Sequence, residues 1–478
     1  MPAGDRPNLV FIFPDQLRAR ALPVYGEKRV RTPHIDRLAE QSMVFDHCIS
    51  PCPVCTPFRS MLLTGRYPQT TGHIINSTVT RHDEISIGDT FARAGYQTAW
   101  IGKWHLHRGA WPGQGVPDWV PEGRDRLGFN FWRGYNQHCK YFNGWVNGTD
   151  WHPIQWDGYE TEALNRFAFK FLDEAQQRDE PFCLFISPQP PHWGEPPEQM
   201  APSRYYEDLP ASENLPLDPD VTEFDLPNRR KDLRQYLAMI RAVDDMVGDL
   251  VAQLTRRQLI DNTLLVFTSD HGTQGGREQL SFWAKMHPHE ASIRVPLIVR
   301  WPGMIPAGVR NNSMMSAVDF LPTLASLCGI DAPRGLEGMD LSASWMGQPN
   351  APRRDHTLLM NFGRKHDYFA DGWEWRGIRT MTHTYARWLN GRTELFDIIA
   401  DPYQLQNLAG TPAVAALQSD LEQCLTDRLA ERADHFGTCT SYRAWHDSLR
   451  RVVRNGFGPL PHPESEPDWT RFCQPTHP

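Results

Sequence analysis

The sequence predicts an α/β fold in which a large mixed, mostly parallel β-sheet lies between helices, followed by a smaller C-terminal α+β subdomain. Short apolar runs rich in β-forming residues recur through the first 370 residues, and stretches with helical periodicity separate them. Strands that alternate with helices build a parallel sheet with both faces covered. After residue 370 the pattern becomes that of an antiparallel meander. We therefore predict a main domain over residues 1–370 and a subdomain over residues 371–478 of this 478-residue chain.

Six apolar runs and two helical patterns predict the main domain. The runs are NLVFIF near residue 8, QTAWIG near 97, FCLFIS near 182, TLLVFTS near 263, VPLIVRW near 295 and HTLLMNF near 356. Thr32-Pro33 predicts a helix start, because proline is preorganised for the first helical position. A longer helix is predicted over residues 232–256, where apolar residues keep a helical period.

The subdomain is predicted from a turn, a helix and a tail. Asn390-Gly391 is typical of a two-residue hairpin turn. Thr411-Pro412 predicts the start of a helix with leucines on one stripe. The proline-rich residues 456–478 are expected to wrap over their own chain; an arm on a neighbouring subunit is the alternative.

Composition and charge exclude several classes of protein. Hydrophobic residues make up 40% of the chain and charged residues 22%, and no apolar run is long enough to cross a bilayer. A net charge of −8 gives no reason to expect nucleic acid or an anionic membrane as a partner. The N-terminus lacks the pattern of a secretory leader, and nine cysteines do not form a disulfide framework. A cytoplasmic location is expected, although a removed leader would leave the same sequence.

Polar residues directly follow four of the predicted strands. They are Asp15-Gln16, Lys103-Trp104-His105, His192 and Asp270-His271. Ligands of open α/β sheets bind at the carboxyl ends of the strands, so we expect one shared site. Asp15, Gln16, Asp270 and His271 offer mainly oxygen ligands and one imidazole, which predicts a single divalent cation. Calcium or magnesium is favoured, and the histidine leaves manganese open.

Three cysteines lie within eight residues, at Cys48, Cys52 and Cys55. Their C-x3-C-x2-C spacing is that of radical SAM enzymes, in which three thiolates hold an iron–sulfur cluster. Pro51 and Pro53 crowd the middle cysteine and argue against a cluster. Cys55 itself precedes a predicted helix, whose N-terminus favours an anion, and Arg59 lies one turn into that helix.

The stretch from Cys55 to Arg66 resembles the signature of type I sulfatases, C-x-P-x-R followed by L-T-G-R. The segments AGYQTAWIGKWH, VFTSDHG, RVPLIVRWPG and ELFDIIADPYQLQNL also resemble sulfatase segments, in the expected order. The resemblance spans most of the chain. It implies an alkaline-phosphatase-like fold, a catalytic domain over residues 1–370, and hydrolysis of an aryl, sugar or small-alcohol sulfate ester.

The resemblance also implies a modified nucleophile and a set of site residues. Cys55 would be converted to formylglycine (3-oxoalanine), whose hydrate attacks sulfur and binds the metal, calcium above all, together with Asp15, Gln16, Asp270 and His271. Arg59 would anchor the formylglycine, and Lys103 and Lys285 would bind the sulfate. His192 would protonate the leaving alcohol, His105 would contact the hydrate, and Asn76 would contact the substrate. The implied partners are a small-molecule sulfate ester and a formylglycine-generating or anaerobic sulfatase-maturating enzyme. A homo-oligomer is left open.

The sequence departs from the commonest sulfatase pattern at Gln16, where a second aspartate is usual, and at His271, where asparagine is usual. Choline sulfatases and phosphonate monoester hydrolases share these variants, so hydrolysis of a phosphonate monoester or phosphodiester is an alternative. Retention of Lys103 and Lys285 favours sulfate. Residues 129–153 are rich in aromatic side chains. Packing is their expected role, and a rim that stacks on a sugar, an aryl ring or a quaternary ammonium is the alternative.

Overall fold

The computed structural model of the protein describes residues 6–108 and 118–472. The strands in these ranges are β1 (Asn8–Ile12), β2 (Met43–Ile49), β3 (Gln97–Lys103), β4 (Phe131–Tyr135), β5 (Trp145–Asn147), β6 (Pro153–Gln155), β7 (Phe182–Ser187), β8 (Thr263–Phe267), β9 (Arg294–Val295), β10 (Ile298–Arg300), β11 (Val309–Ser316), β12 (His356–Phe362), β13 (Glu374–Thr380), β14 (His383–Trp388), β15 (Thr393–Asp397), β16 (Arg454–Asn455) and β17 (Gly458–Pro459). The α-helices are α1 (Pro33–Glu40), α2 (Cys55–Thr64), α3 (Pro68–Thr71), α4 (Ile87–Arg93), α5 (Glu160–Ala175), α6 (Leu226–Arg256), α7 (Glu290–Ile293), α8 (Phe320–Leu327), α9 (Ser342–Trp345) and α10 (Ala415–Glu431).

An eleven-stranded sheet forms the centre of the main domain, in the order β11-β2-β10-β8-β1-β7-β3-β4-β5-β6 with β9 paired to β2. The strands β8, β1, β7, β3 and β4 are parallel to one another. Strand β10 is antiparallel to both of its neighbours, and β5 and β6 are antiparallel at the far edge. The predicted mixed, mostly parallel sheet is confirmed. The carboxyl ends of β1, β3, β7 and β8 therefore meet along one edge.

Helices cover both faces of this sheet, because successive side chains of a strand point to opposite faces. Leu9 and Phe11 of β1 belong to the hydrophobic core shared with α2, α4 and α8. Val10 and Ile12 of the same strand belong to the core shared with α1, α5 and α6. The apolar positions predicted for the long helix, such as Leu237, are buried in α6.

A four-stranded antiparallel sheet, β12-β13-β14-β15, forms the core of the subdomain, and α10 packs on it through Leu421, Leu425 and Leu429. The hairpin turn at Asn390-Gly391 is confirmed between β14 and β15. One predicted strand is confirmed as a strand but does not belong to the main sheet. The run HTLLMNF is β12, which pairs antiparallel with β13 in the small sheet. It is buried along most of its length, and an apolar run looks the same in either kind of sheet.

The small sheet therefore begins before residue 370, where we predict the division between domains; that division stays a prediction. The described part of the tail lies against its own chain, as expected. The N–H of Gly456 donates to the Gln69 carbonyl oxygen at 2.8 Å, and the Arg81 guanidinium donates to the carbonyl oxygen of Pro461 at 2.9 Å. Within the described ranges, no helix has the length and apolar character to cross a membrane.

Candidate active site

The loops after four parallel strands converge on Cys55, the first residue of α2. Asp15 follows β1, Lys103 ends β3, His192 follows β7, and Asp270 follows β8. Asp15, Cys55, Lys103 and Asp270 are completely or almost completely buried. The structure thus brings together the residues that the sequence places at strand ends.

The Cys55 thiol lies at the centre of this cluster. Its Sγ is 3.1 Å from Lys285 Nζ, 3.2 Å from His271 Nε2, 3.7 Å from Asp15 Oδ1 and 3.9 Å from Lys103 Nζ. Burial, reinforced by Asp15, raises the pKa of the Cys55 thiol to about 11. The unmodified thiol is therefore protonated at neutral pH, and a protonated thiol is a poor nucleophile.

The donor set beside Cys55 fits a divalent cation. One ligand atom from each of Asp15, Cys55, Asp270 and His271 lies within 4.8 Å of all the others. His271 Nδ1 is 2.9 Å from the carbonyl oxygen of Gly272, which can only accept, so the ring proton sits on Nδ1 and the Nε2 lone pair faces Cys55. Metal-binding histidines are commonly held in this way. Burial and Lys285 hold the pKa of His271 well below its usual range, which keeps the ring neutral.

Gln16 adds one more oxygen atom that could bind a metal ion and that has no hydrogen-bond partner. Its Oε1 is buried and accepts no hydrogen bond, while its Nε2 donates to the carbonyl oxygen of Trp283 at 2.9 Å. Its backbone has φ 68° and its N–H donates to Asp270 Oδ1 at 2.9 Å. A non-glycine residue with positive φ at a binding site is held there by its surroundings. Gln16 is therefore fixed beside the ligand set, with a free carbonyl oxygen.

Arg59 links the two carboxylates. Its Nη2 lies 3.2 Å from Asp270 Oδ2 and 3.5 Å from Asp15 Oδ2, and its Nη1 donates to the Lys103 carbonyl oxygen and to Ser187 Oγ, both at 2.8 Å. Asp15 Oδ2 also accepts from Lys103 Nζ at 2.6 Å. Burial alone would raise the pKa of Asp15, but Lys103 and the other nearby cationic groups outweigh it and hold that pKa well below its usual range. Burial and the charge of Asp15 raise the pKa of Asp270 to about 6.

The Lys285 ammonium group lies between Cys55 and His192. Its Nζ is 3.5 Å from His192 Nε2 and 3.3 Å from His271 Nε2. His192 Nδ1 is 2.7 Å from the Trp193 carbonyl oxygen, so Nδ1 holds the ring proton and Nε2 faces the lysine. Burial lowers the pKa of His192 to about 3.

His105 is fully buried with φ 58°, and neither ring nitrogen has a hydrogen-bond partner. Burial, together with Lys103 and Arg59, holds the pKa of His105 well below its usual range. A buried imidazole with both nitrogens free indicates a site that awaits a polar ligand.

Asn76 lies next to the nucleophile position. Its Oδ1 accepts from the backbone N–H of Thr56 at 2.9 Å, so it caps the first turn of α2. Its own backbone N–H donates to the His366 carbonyl oxygen at 2.6 Å. These contacts favour a positioning role for Asn76; contact with the substrate stays a prediction.

Sequence reasoning missed Ser187, Asp367 and Arg450. The Arg450 guanidinium donates to the Asp367 carbonyl oxygen at 3.1 Å, and Asp367 lies within electrostatic reach of Lys285. Ser187 is the last residue of β7, so its position at a strand end was a signal that could have identified it. Asp367 lies in the loop after β12 and Arg450 lies still farther along the chain, and their local sequence contains no signal that points to the site.

The other two cysteines have no part in the cluster around Cys55. Cys48 Sγ lies 3.9 Å from Thr268 Oγ1, and both Cys48 and Cys52 pack in the hydrophobic core. Burial raises the pKa of each of these thiols to about 12. Among the described residues, the three thiols do not form a set of metal ligands. Of the three cysteines, only Cys55 belongs to the ligand set described here, so the iron–sulfur alternative gains no support from the described residues.

A mostly parallel sheet with a buried cluster of candidate metal ligands at its carboxyl edge is the arrangement of the alkaline-phosphatase-like superfamily. The family model described as Sulfatase matches residues 7–330, and the one described as N-sulphoglucosamine sulphohydrolase, C-terminal, matches residues 279–431. The chain belongs to the sulfatase family. It is accordingly a sulfuric ester hydrolase, which cleaves sulfate monoesters.

Two relatives and one solved structure are similar to this protein over most of its chain. An ulvan-active sulfatase of Formosa agariphila is 36% identical over 90% of this chain and 82% of its own length. An endo-4-O-sulfatase of Bacteroides thetaiotaomicron is 30% identical over 85% of this chain and 88% of its own. A solved 4S-sulf protein, described for the metabolism of multiple glycosaminoglycans by the same species, has a TM-score of 0.80 at 26% identity and covers 90% of this chain and 97% of its own.

Proposed function

We propose that this sulfatase uses a formylglycine made from Cys55, binds one divalent cation beside it, and removes sulfate from a sugar. The observation that supports this most is the position of Cys55. Its Sγ contacts Lys285 and His271 at 3.1 and 3.2 Å in a fully buried cluster, yet burial raises the pKa of the thiol to about 11. A residue so central and so unreactive as a thiol is suited to act in another form.

The hydrated aldehyde of formylglycine supplies an oxygen nucleophile, and a divalent cation neutralises charge on that oxygen and on the sulfate. Asp15, Gln16, Asp270 and His271 would hold the cation. Because most of their donors are oxygens, calcium is proposed first and manganese or magnesium second. A formylglycine-generating or anaerobic sulfatase-maturating enzyme is then a required partner.

Cationic side chains around Cys55 fit a sulfate group. Lys103 and Lys285 place two ammonium groups within 3.9 Å of Cys55 Sγ. They would bind the sulfate oxygens and stabilise the charge that develops on them in the transition state. Arg59 contacts both Asp15 and Asp270 and so fixes the positions of the two carboxylates relative to each other.

The leaving alcohol needs a proton, and His192 is placed to deliver it. Its Nδ1 proton is committed to the Trp193 carbonyl oxygen, so Nε2 is the atom that would carry the transferred proton. Burial lowers the pKa of His192 to about 3, so Nε2 carries no proton before substrate binds and would take one up from solvent when the negative charge of the bound sulfate ester raises that pKa. Lys285 Nζ lies 3.5 Å from that nitrogen and would orient it. His105, whose ring nitrogens have no partner, would contact the hydrated nucleophile from another side.

The names of the two relatives support a sugar sulfate as the substrate of this chain, since one is called ulvan-active and the other an endo-4-O-sulfatase. The aromatic region 129–153 gives weaker support. Trp132 is buried in the core, as the packing interpretation expects, whereas the Trp151 ring is 59% exposed and stacks on His152 at 4.1 Å.

Steady-state kinetics on a panel of esters tests the proposal. The protein, produced together with a maturating enzyme and loaded with Ca²⁺, is assayed on 4-nitrophenyl sulfate, choline sulfate, an aryl phosphonate monoester, and sulfated oligosaccharides of ulvan and chondroitin 4-sulfate. The highest kcat/KM is expected for a sulfated oligosaccharide. A preference for the phosphonate would overturn the reaction, and a preference for choline sulfate would overturn the substrate class. Cys55→Ala should abolish turnover, while the matched variant Cys52→Ala retains it.

A further inference from the structure

A cavity of about 240 Å³ lies between the chain segment after β8 and the small antiparallel sheet, apart from the residues around Cys55. Residues His287, His289, Trp373, Trp388 and Arg392 contribute to its lining. Cavities of roughly 300–1,000 Å³ accommodate drug-sized ligands, so this smaller one has room for about one ring. None of these residues has a part in the site around Cys55.

Buried polar atoms without partners surround this cavity. His289 is only 4% exposed and neither of its ring nitrogens has a hydrogen-bond partner, and the same holds for Nε2 of His287, which is 8% exposed. Leaving such atoms unpaired costs stability. A ligand whose hydroxyl groups pair with these three nitrogens would remove that cost.

The chemistry of the lining indicates a neutral, hydroxyl-rich ring. Burial lowers the pKa of His287 to about 4 and holds that of His289 well below its usual range, so both rings are neutral and each offers one donor and one acceptor. Sugar hydroxyls likewise donate and accept. The Arg392 guanidinium is already bonded to Glu394, which leaves little positive charge for an anion. Trp373 is half-buried, and its ring centroid lies 5.0 Å from that of His287. The remainder of its indole is a surface on which an apolar sugar face can stack.

The cavity lies close to the sulfate site along the chain. His287 follows Lys285 by two residues, and consecutive Cα atoms are about 3.8 Å apart, so their Cα atoms are separated by about 7.6 Å at most. Met286 between them has φ 75°, and its carbonyl oxygen accepts from Trp375 Nε1 of β13 at 2.8 Å. One short segment, held by the small sheet, thus contributes to both sites.

We propose that this cavity is a second sugar-binding subsite, which takes the pyranose ring next to the one that bears the sulfate. The inference rests on the proposed sugar substrate. The two parts of the chain would then bind different parts of the substrate. The main domain would bind the sulfate, and residues of the small sheet would bind the neighbouring sugar.

Kinetics on substrates of different length test the subsite. For wild type, kcat/KM is measured on 4-nitrophenyl sulfate and on size-fractionated oligosaccharides, from monosaccharide to hexasaccharide, of ulvan and chondroitin 4-sulfate. We expect kcat/KM to rise on going from the monosaccharide to a longer fragment of at least one glycan. Trp373→Ala should then lower kcat/KM for that fragment roughly five- to ten-fold, the scale of one lost aromatic contact, mainly through KM. Turnover of 4-nitrophenyl sulfate should stay within about two-fold of wild type, since this substrate does not reach the cavity.

Two further variants separate binding from folding. Trp373→Phe keeps an aromatic surface and should restore most of the loss. Trp469→Ala removes another half-buried tryptophan, which packs on Arg93 and Arg124, and should change neither substrate. If no fragment is hydrolysed faster than its monosaccharide, or if Trp373→Ala affects 4-nitrophenyl sulfate and oligosaccharide alike, the subsite is refuted. If wild type hydrolyses no sugar sulfate at all, it is the proposed function that fails.

Discussion

Replacing Arg59 by glutamine removes a buried guanidinium that lies within 3.5 Å of two carboxylates. Arg59, Asp15 and Asp270 are all fully buried, and breaking a buried ion pair by removing one partner costs about 3–5 kcal/mol. Unfolding entropy of about 2.1 cal/mol/K per residue gives about 1 kcal/mol/K for a chain of 478 residues. Arg59→Gln should therefore lower Tm by about 3–5 °C in EDTA.

Whether the decrease in Tm of Arg59→Gln depends on Ca²⁺ tests the proposal that Asp15 and Asp270 bind a divalent cation. In Arg59→Gln, Asp15 keeps its ion pair with Lys103, whereas Asp270 loses the guanidinium beside it. A divalent cation held by Asp15 and Asp270 would offset the negative charge that the variant leaves uncompensated. Added Ca²⁺ should therefore raise the Tm of the variant more than that of wild type in thermal unfolding followed by fluorescence. Arg376→Gln is the matched control, since Arg376 and Asp434 are both fully buried and 2.6 Å apart, outside the site. It should lose a similar amount with or without Ca²⁺. Equal losses of Arg59→Gln in EDTA and in Ca²⁺ would refute the reasoning.

Three further predictions concern the surroundings of the nucleophile. Asn76→Ala removes the cap on α2 and should lower Tm by about 0.5–2 °C as well as kcat. Asn76→Asp keeps the acceptor but places a buried carboxylate against Asp367, to which the Asn76 side chain is hydrogen-bonded, and should not restore Tm. Burial raises the pKa of Glu160 to about 7, above its usual value of about 4.3; between these pH values the unfolded chain loses a proton that the folded chain keeps, so this residue lowers stability as pH rises. The Tm of Glu160→Gln relative to wild type should accordingly rise between about pH 4.3 and 7 and level off above, and a flat difference would contradict the assignment. Cys48→Ala and Cys52→Ala should each keep kcat within about two-fold per formylglycine formed, because both thiols only pack in the core.

The main sheet could be predicted from the sequence because its central strands are apolar runs. Strands β1, β3, β7 and β8 are buried along their length or nearly so, and such strands read as continuous hydrophobic segments. Strand β11 escaped prediction because it begins with the polar residues Arg310, Asn311 and Asn312. Strand β12 was assigned to the wrong sheet because burial on both faces does not report which neighbours a strand has.

Some residues of the site could likewise be predicted from the sequence, and others could not. Asp15, Lys103 and Asp270 could be predicted from their position at strand ends, where the topology of a parallel sheet brings them together. Lys285 follows no strand, and only the resemblance to sulfatases identified it. Ser187 also ends a predicted strand and could have been identified from that position. Arg450 reaches the site through a contact with Asp367, far away in the sequence, so local pattern could not reveal it.

The state of Cys55 in active protein is the most direct test of the central claim. Protein produced with and without a maturating enzyme is digested, and the peptide that contains Cys55 is analysed by mass spectrometry, with Cys48 and Cys52 as internal controls. The account predicts that the side chain of Cys55 alone changes from CH₂–SH to an aldehyde, and that kcat rises in proportion to the fraction changed. Full activity from protein in which Cys55 remains a thiol would contradict it.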